Sequence, residues 1–282
     1  MAAALMRLVH CLSSWVVRLL WHLRQRCLRA YLVEYDLIDV GSVRYVGGVD
    51  ISFVKNSAVD ACAALVVCDA STQNVVYTDC QPIALTAPYV PGFLAFREAP
   101  HLARLLDRLR RERPELVPDV LLVDGNGVLH PRRFGLACHL GVLAGIPTVG
   151  VGKSLHYIDG LTRGYVRALA RDGCKDRGES QLIVGDSGAV WGAVLRTTHP
   201  ADTDFNPIII SVGHGLSLTS AVSLVRSCSA HRVPEPVRQA DLRSREWLRH
   251  NYADTVQTLR RAQRPRPDPG RQWSAGSRAA VA

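Results

Sequence analysis

The first part of the chain body carries three short apolar runs that are separated by polar residues. Runs of this length, rich in Val, Ile, Ala and Cys, are typical of buried strands. Lys55-Asn56-Ser57 supplies a turn between the first two runs. Because the connections are short, we expect the three strands to pair antiparallel as a meander. The predicted strands are Val46–Val54, Ala61–Cys68 and Val75–Tyr77.

After this meander the hydrophobic period changes to that of helices alternating with strands. Leucines at 94, 102, 105, 106 and 109 share one side of a helix predicted over 93–113. The order of elements predicts an α/β domain with a mixed β-sheet, three antiparallel strands followed by α/β units and flanked by helices. The later predicted elements are strand 120–123, helix 134–144, strand 148–151, a hairpin of 182–184 and 189–195, strand 208–212, a helix from Ser217 and a helix over 235–250.

The two ends of the chain differ in charge from the body between them. The chain has 282 residues and a net charge of +9, of which residues 1–33 carry +5 and residues 262–282 carry +3. The body, which we predict as one domain over 20–261, is therefore close to neutral. A strongly basic surface is excluded as the main argument for a nucleic-acid partner, so any such argument must come from a local site.

The N-terminal segment has several possible interpretations. Its longest uncharged stretch is the ten residues from Leu8 to Val17, too short for a membrane span of about 20 residues, so we expect no membrane partner. Residues 1–19 form an atypical segment, for which a surface helix, a disordered start and a transit peptide are the alternatives. The tail 262–282 is rich in Arg and Pro, and we predict that it is disordered. Eight cysteines without a C-x-x-C pair indicate a reducing compartment rather than a zinc site.

Two aspartates occupy unusual positions in predicted strands. Asp50 lies inside an apolar strand, and Asp124 ends another. A half-buried carboxylate costs free energy unless it is paired or bound to metal, and neighbouring strands lie about 4.8 Å apart. If the two strands pair, both carboxylates could hold one Mg²⁺. The plain alternative is a strand aspartate bonded to backbone amides and an aspartate that opens a turn. Gly125, beside Asp124, would leave room for a substrate backbone.

Other polar residues indicate a functional site only if the fold brings them together. Taken alone, Glu98 and Asp241 are each interpreted as solvent-exposed helix acids. Either becomes a candidate site residue if the fold places it beside the two strand aspartates. The stretch 150–154 resembles the end of a P-loop, but position 147 is Pro instead of Gly, which excludes a nucleoside triphosphatase. Lys153 remains either a phosphate-facing cation or a solvated loop lysine. His214 either contacts a phosphate or satisfies a loop carbonyl.

A rigid segment around Tyr89 is a candidate for base recognition. Pro88 and Pro91 restrict the backbone on both sides of the tyrosine. A rigidly held, exposed aromatic ring can stack on a nucleobase or wedge beside it. The alternative is a proline-rich linker whose tyrosine packs on the core.

Taken together, these segments resemble the endonuclease V family, whose members have an RNase H-like fold and act on inosine. The resemblance follows the family's order over residues 46–242, and the string around Tyr89 is long and specific. Residues 20–36 also look like the family's leading helix, whereas residues 1–19 match nothing recognised. The matching strings are VGGVDISFV (46–54), LTAPYVPGFLAFREAP (85–100), VLLVDGNGVLHPRRFGLACHLG (120–141), VGVGKSL (149–155), ISVGHGLSL (210–218) and RVPEPVRQADL (232–242).

The resemblance implies roles for individual residues of this chain. Asp50 and Asp124 match the metal-binding acids, and the implied cofactor is Mg²⁺, with Mn²⁺ as a substitute. Lys153 matches the lysine near the scissile phosphate. The remaining implied catalytic acids are Glu98 and Asp241. The residues assigned to nucleic-acid contacts are Tyr89, as the wedge that fills the gap left by a displaced inosine, Gly92, Gly125 and His214.

The resemblance also implies a reaction, an oligomeric state and a cellular location. The expected reaction is cleavage of single-stranded inosine-containing RNA at the second phosphodiester bond 3′ to inosine, leaving 3′-hydroxyl and 5′-phosphate ends. The alternatives are a deoxyinosine-specific DNA repair nuclease and a catalytically weak binder of inosine RNA. We expect a monomer in the cytoplasm, the nucleus or the nucleolus, with mitochondrial targeting as the alternative that the N-terminus leaves open.

Overall fold

The protein is described from a computed structural model, which covers residues 2–153, 155–199 and 206–263, with side chains described from residue 15 to residue 251 within these ranges. The elements are α1 (Ala2–Arg29), β1 (Tyr45–Phe53), β2 (Asp60–Asp69), β3 (Val75–Ala84), α2 (Leu94–Glu112), β4 (Val120–Asp124), α3 (Leu136–Ala144), β5 (Thr148–Gly152), α4 (Arg163–Gly173), β6 (Ser180–Val184), β7 (Val190–Leu195), β8 (Ile208–His214), α5 (Leu218–Ser227) and α6 (Glu235–Gln263).

The eight strands form a mixed sheet in the order β3-β2-β1-β4-β5-β8-β7-β6. The first three strands pair antiparallel, and β4 and β5 continue from β1 as parallel neighbours. The hairpin of β6 and β7 joins the far end through β8, which lies antiparallel to β5. This arrangement confirms the expected antiparallel meander followed by α/β units, and it is consistent with an RNase H-like fold.

Helices cover both faces of the sheet. On one face α2 and α3 pack on the apolar residues of β1, β2 and β4, and α1 lies over them, with the Trp21 ring stacked on that of Phe96 at 5.1 Å. On the other face α5 and α6 cover a second cluster that includes Val46, Leu122 and Val237. Among the described residues, no helix has both the length and the apolar character that crossing a membrane requires.

The sequence pattern located most elements within a few residues, with two clear errors. Helix α4 was not predicted, because only Val166 and Ala170 of its residues are buried and its exposed side is rich in arginine. Strand β3 extends to Ala84, well beyond the predicted end at Tyr77, and includes Pro82. A proline is tolerated there because β3 is the edge strand of the sheet and its outer side needs no amide donor.

The helices at the two ends of the described residues are longer than the sequence pattern predicts. Helix α6 continues to Gln263, beyond the predicted end at residue 250, and therefore includes the first two residues of the predicted tail. The rest of that tail, residues 264–282, lies outside the described residues. The backbone of residues 2–19 belongs to α1, and the assignment of a separate N-terminal segment remains a prediction.

Contact between α6 and β1 depends on the absence of a side chain at Gly48. A Cβ atom added at Gly48 would lie 2.0 Å from the Pro236 carbonyl oxygen and 2.6 Å from the Val237 amide nitrogen. Both atoms belong to the backbone of the first turn of α6, which cannot move aside without shifting the helix. This close approach is what lets later residues of α6 reach β1.

We expect Gly48→Ala to destabilise the protein by about 1–3 kcal/mol, the usual cost of overpacking. The measurement is the free energy of unfolding from urea denaturation. Gly164→Ala is the matched control, because a Cβ there would meet only the Thr162 hydroxyl at 3.9 Å and alanine favours helix. Equal stability of the Gly48→Ala variant and the parent protein would contradict the proposed packing constraint.

Candidate active site

The parallel pairing of β1 with β4 brings two aspartates to the same edge of the sheet. Val49 is the register partner of Val123, so Asp50 and Asp124 each lie one residue further along neighbouring strands. Gly48 and Leu122, which lie two residues before Asp50 and Asp124, face α6. Side chains alternate between the two faces along a strand, so residues two apart lie on the same face. Both carboxylates therefore point to the α6 side of the sheet.

Asp50 is a buried carboxylate surrounded by other acids. Burial, followed by the charges of Asp124 and Asp241, raises its pKa from 3.8 to about 6. A hydrogen bond from Ser244 and the charge of Lys153 act in the opposite direction. A carboxyl group with this pKa loses its proton much more readily when a cation is close, which is the behaviour expected of a metal ligand.

Glu98 approaches the same edge from the first turns of α2. Its side chain is buried, and burial together with the charges of Asp50 and Asp124 raises its pKa from 4.5 to about 7. The neighbouring Arg97 lowers the pKa of Glu98, while its own guanidinium donates to the Ala58 carbonyl. The structure therefore brings Glu98 into the electrostatic range of both strand aspartates.

Two further charged residues complete the cluster, each with a partner of opposite sign. Lys153, directly after β5, donates to Asp124 with 2.6 Å between Nζ and Oδ2. Asp241 on α6 accepts a hydrogen bond from Arg245 at 2.7 Å, and the charge of Asp241 raises the pKa of Asp50. All five residues assigned to catalysis from the sequence thus surround one edge of the sheet.

Sequence reasoning missed two serines that hold Asp50. Ser244 donates to Asp50 Oδ2 at 3.1 Å, and Ser52 donates to the same oxygen at 3.2 Å. The two serine hydroxyls are also 2.7 Å apart. Ser52 has a sequence signal, because it lies two residues after Asp50 on one strand face. Ser244 has none, since its contact exists only once α6 lies across β1.

The turn after β4 is held by close backbone packing. Gly125 has a φ of +151°, a conformation that favours glycine. The amide of Gly127 donates to the Ser211 hydroxyl at 2.8 Å, and a Cβ at Gly127 would lie 1.8 Å from the Val212 carbonyl oxygen. The turn is therefore fixed against β8, with its backbone beside Asp124.

The segment before α2 presents Tyr89 to solvent. The tyrosine is 66% exposed, whereas its neighbours Val90 and Phe93 are buried. Gly92 adopts a φ of +78°, and its carbonyl accepts hydrogen bonds from His130 and Arg132. The alternative in which Tyr89 packs on the core is therefore wrong, because the anchoring is done by the residues around it.

His214 is the assigned residue that the structure does not bring to the cluster. It is the register partner of Thr148, at the opposite end of β5 from Lys153, and four residues of strand span about 13 Å. Its Nδ1 accepts a hydrogen bond from the Val33 amide at 3.3 Å. This contact ties the end of β8 to the segment after α1, which gives His214 a structural role, and the assigned nucleic-acid contact stays a prediction.

The donor set fits a divalent cation by its chemistry. Carboxylate oxygens are the ligands that Mg²⁺ and Mn²⁺ prefer, and the pKa values of Asp50 and Glu98 are raised by burial and, after it, by the charges of neighbouring acids. Within the described ranges, no three His, Cys, Asp or Glu side chains form a group that could hold a metal ion as they stand. Two of the acids are paired with cationic side chains, Asp124 with Lys153 and Asp241 with Arg245.

Comparison with known proteins gives one consistent result. The family model described as Endonuclease V matches residues 27–242 of the chain. Human Endonuclease V is 48% identical over 236 residues, which cover 82% of this chain and 83% of the human protein. Mouse Endonuclease V is 46% identical over the same length, which covers 82% of this chain and 69% of the mouse protein.

Solved structures agree with the sequence comparison. The crystal structure of the catalytic domain of human Endonuclease V has a TM-score of 0.80 and 47% identity, covering 84% of this chain and 98% of that one. Endonuclease V from Ciona intestinalis was crystallised with a 24mer DNA containing an inosine followed by a ribo-adenosine. It has a TM-score of 0.76 and 35% identity, covering 82% of this chain and 97% of that one.

The raised pKa of Glu98 predicts a pH-dependent stability. Glu98 has a pKa of 4.5 as its ordinary value in the unfolded chain and of about 7 in the folded protein, so the folded state binds this proton more tightly. The stabilisation that protonated Glu98 contributes is fully present below pH 4.5 and is lost as the pH rises through 7. The loss in the free energy of unfolding is on the order of 3 kcal/mol. We expect Glu98→Gln to gain stability relative to the parent as the pH is raised from 5 to 8.

The measurement is urea denaturation at both pH values without divalent cations. Asp107→Asn is the control, since Asp107 lies on the same helix with its side chain 56% exposed and paired with Arg110. A difference between the Glu98→Gln variant and the parent that stays constant with pH would contradict the electrostatic description of this residue.

Proposed function

Because the chain belongs to the endonuclease V family, we propose that it cleaves single-stranded inosine-containing RNA at the second phosphodiester bond 3′ to inosine. The products carry 3′-hydroxyl and 5′-phosphate ends, and the proposed cofactor is Mg²⁺. As a member of this family the chain is a nuclease that hydrolyses phosphodiester bonds. The observation that supports this proposal best is the meeting of Asp50, Asp124 and Glu98 beside Lys153 at one sheet edge.

The acidic cluster supplies the ligands for the proposed reaction. Asp50 and Asp124 would hold the cation, and Asp241 completes the cluster from α6. The cation would polarise the phosphate and lower the pKa of a water molecule. Ser52 and Ser244 keep the Asp50 carboxylate in one orientation through hydrogen bonds to Oδ2, which positions that ligand before substrate arrives.

Two other residues act on protons and charge. Glu98, buried within the electrostatic range of Asp50 and Asp124, is suited to hold the attacking water and accept its proton. Lys153 is already beside Asp124 at 2.6 Å, so its ammonium group can offset the negative charge that develops on the phosphate. The leaving oxygen becomes the 3′-hydroxyl, and the attacking water becomes part of the 5′-phosphate.

Recognition of inosine is assigned to the surface between Tyr89 and the turn after β4. Inosine lacks the exocyclic amino group of guanosine, so a backbone-lined pocket that contacts its N1–H and O6 can exclude guanosine sterically. The exposed ring of Tyr89 can fill the gap in the strand from which the base is displaced. Gly125, beside Asp124, is assigned to the close approach of the strand backbone.

The sugar of the substrate strand distinguishes an RNase from a DNA repair nuclease. The strand bound by the Ciona protein is DNA with a ribo-adenosine after the inosine, and the ribose at that position favours RNA for this chain. The 2′-hydroxyl is the group that distinguishes the two polymers. A deoxyinosine DNA nuclease and a weak inosine-RNA binder are the competing functions, and the complete set of four acids speaks against the second.

We expect the protein to cleave inosine RNA faster than a DNA strand of matched sequence, and only with Mg²⁺ or Mn²⁺. Asp50→Ala and Asp124→Ala are expected to lower the cleavage rate by about a hundredfold or more, while inosine binding stays measurable. Gel assays of cleavage with end-group analysis, combined with binding titrations, separate the three functions. Faster cleavage of the DNA strand would refute the RNA assignment, and full turnover by either variant would refute the metal role.

Tyr89→Ala is expected to weaken binding of an inosine-containing strand by about 1–3 kcal/mol, the range for loss of base stacking. Tyr89→Phe should retain the affinity, because it keeps the ring. Tyr31→Ala serves as the matched control, since Tyr31 is 71% exposed and lies just after α1. Unchanged affinity of the Tyr89→Ala variant in a fluorescence titration would remove the wedge from the proposal.

A further inference from the structure

A cavity next to the candidate active site has Lys153 on its wall. It has a volume of about 200 Å³ and lies between the end of β5, the start of β8 and α4. None of its other lining residues belongs to the catalytic set described above. They are Leu155, Arg163, Val166, Arg167, Asn206, Pro207 and Ile209.

Two arginines of α4 give this cavity its chemical character. Arg163 and Arg167 lie four residues apart on the helix, so they share one side of it, and both are exposed. Within the described part of the chain neither makes an ion pair or a side-chain hydrogen bond. By contrast Arg171, one further turn along, pairs with Asp172 at 2.9 Å. Two unpaired guanidinium groups on one cavity wall are suited to bind an anion.

The position of Arg163 strengthens this reading. It is the first residue of α4, and the first turn contains no acidic residue. A cation at the N-terminal end of a helix is disfavoured by the helix dipole, whereas an anion bound there is favoured by both the dipole and the arginines. The local arrangement therefore costs free energy that a bound phosphate would offset.

A larger cavity elsewhere lacks this character. The space between α2 and the edge strand β3 has a volume of about 840 Å³ and is also lined by arginines. There Arg108 pairs with Asp79 and Glu112, and Arg104 contacts the His101 ring. Acidic side chains accompany the arginines of this space, since Asp107 also lines it, whereas the smaller cavity has no acidic residue among its described lining residues and adjoins Lys153.

The order of the strands gives the cavity a direction relative to the candidate active site. The Tyr89 segment is anchored to the loop after β4, through contacts of Gly92 with His130 and Arg132. Lys153 follows β5, the next strand, and α4 packs still further along, on Ile183 and Val194 of β6 and β7. A strand that passes from Tyr89 across the acidic cluster to Lys153 therefore continues towards α4.

We propose that Arg163 and Arg167 bind the nucleic-acid phosphates that follow the cleaved bond on its 3′ side. This inference rests on the proposed function, because the polarity of the strand follows from inosine lying 5′ to the cut. The contact is made to phosphate oxygens and is independent of the base sequence.

The test measures affinity for single-stranded inosine RNA as a function of salt. The Arg163→Gln/Arg167→Gln double variant is expected to bind about tenfold or more weakly. Its slope of log K against log salt should fall by about 1.4, since each single-strand phosphate contact contributes about 0.7. KM should rise while kcat at saturating substrate stays unchanged. An Arg163→Lys/Arg167→Lys variant, which keeps both charges, should retain the slope.

Arg171→Gln is the matched control, because it removes a charge from the same helix outside the cavity. A fall in slope equal to that of one cavity arginine would show that only the general charge of α4 matters and would overturn the proposal. An unchanged slope in the double variant, with its fold verified by circular dichroism, would overturn it as well.

Shortened and chemically modified strands test the direction. Removing nucleotides 3′ to the cut, or replacing a phosphate there by an uncharged methylphosphonate, should weaken binding to the parent protein and not to the double variant. If 5′ truncation has this effect instead, the assigned direction is wrong. The same measurements on an adenosine strand separate the two proposals. If the parent protein binds the inosine strand and the adenosine strand equally well, the proposed function is refuted. The loss of affinity in the double arginine variant is expected on both strands.

Discussion

The parallel pairing of β1 with β4 is the interaction on which the candidate active site depends. It sets Asp50 and Asp124 side by side on one face of the sheet, although the two carboxylates repel each other. Burial and, after it, the charges of Asp124 and Asp241 raise the pKa of Asp50 from 3.8 to about 6, so an ionised Asp50 at neutral pH opposes folding. The apolar clusters on both faces of the sheet provide the stability that offsets this cost.

Helix α6 adds a second constraint that acts through backbone contact. Its first turn meets β1 where Gly48 leaves no side chain between them, so the helix runs across the strand towards its carboxyl end. Ser244 then reaches the Asp50 carboxylate, and Asp241 lies close enough to influence its charge. The close packing at one glycine thus supports both the orientation of the Asp50 carboxylate and the approach of Asp241 to it.

The functional surface extends beyond the acids in two directions along the sheet edge. On one side an anchored segment presents Tyr89 to solvent, held by the buried Val90 and Phe93. On the other side Lys153 leads into the cavity lined by Arg163 and Arg167. Base recognition, bond cleavage and phosphate binding would then occur in the order in which a single strand crosses the edge. This arrangement fits a nearly neutral domain whose nucleic-acid contacts are local.

The sequence by itself determined the family, the order of the elements and the residues of the acidic cluster, because strongly apolar strands and long motifs are local signals. It did not determine helix α4, whose two buried residues give too weak a pattern, or the true surroundings of His214. Neither did it determine that Ser244 holds Asp50, that Tyr89 is exposed, or that two arginines share a cavity with Lys153. These facts depend on contacts between segments far apart in the chain, which strand register and helix packing decide only when the whole sheet has formed.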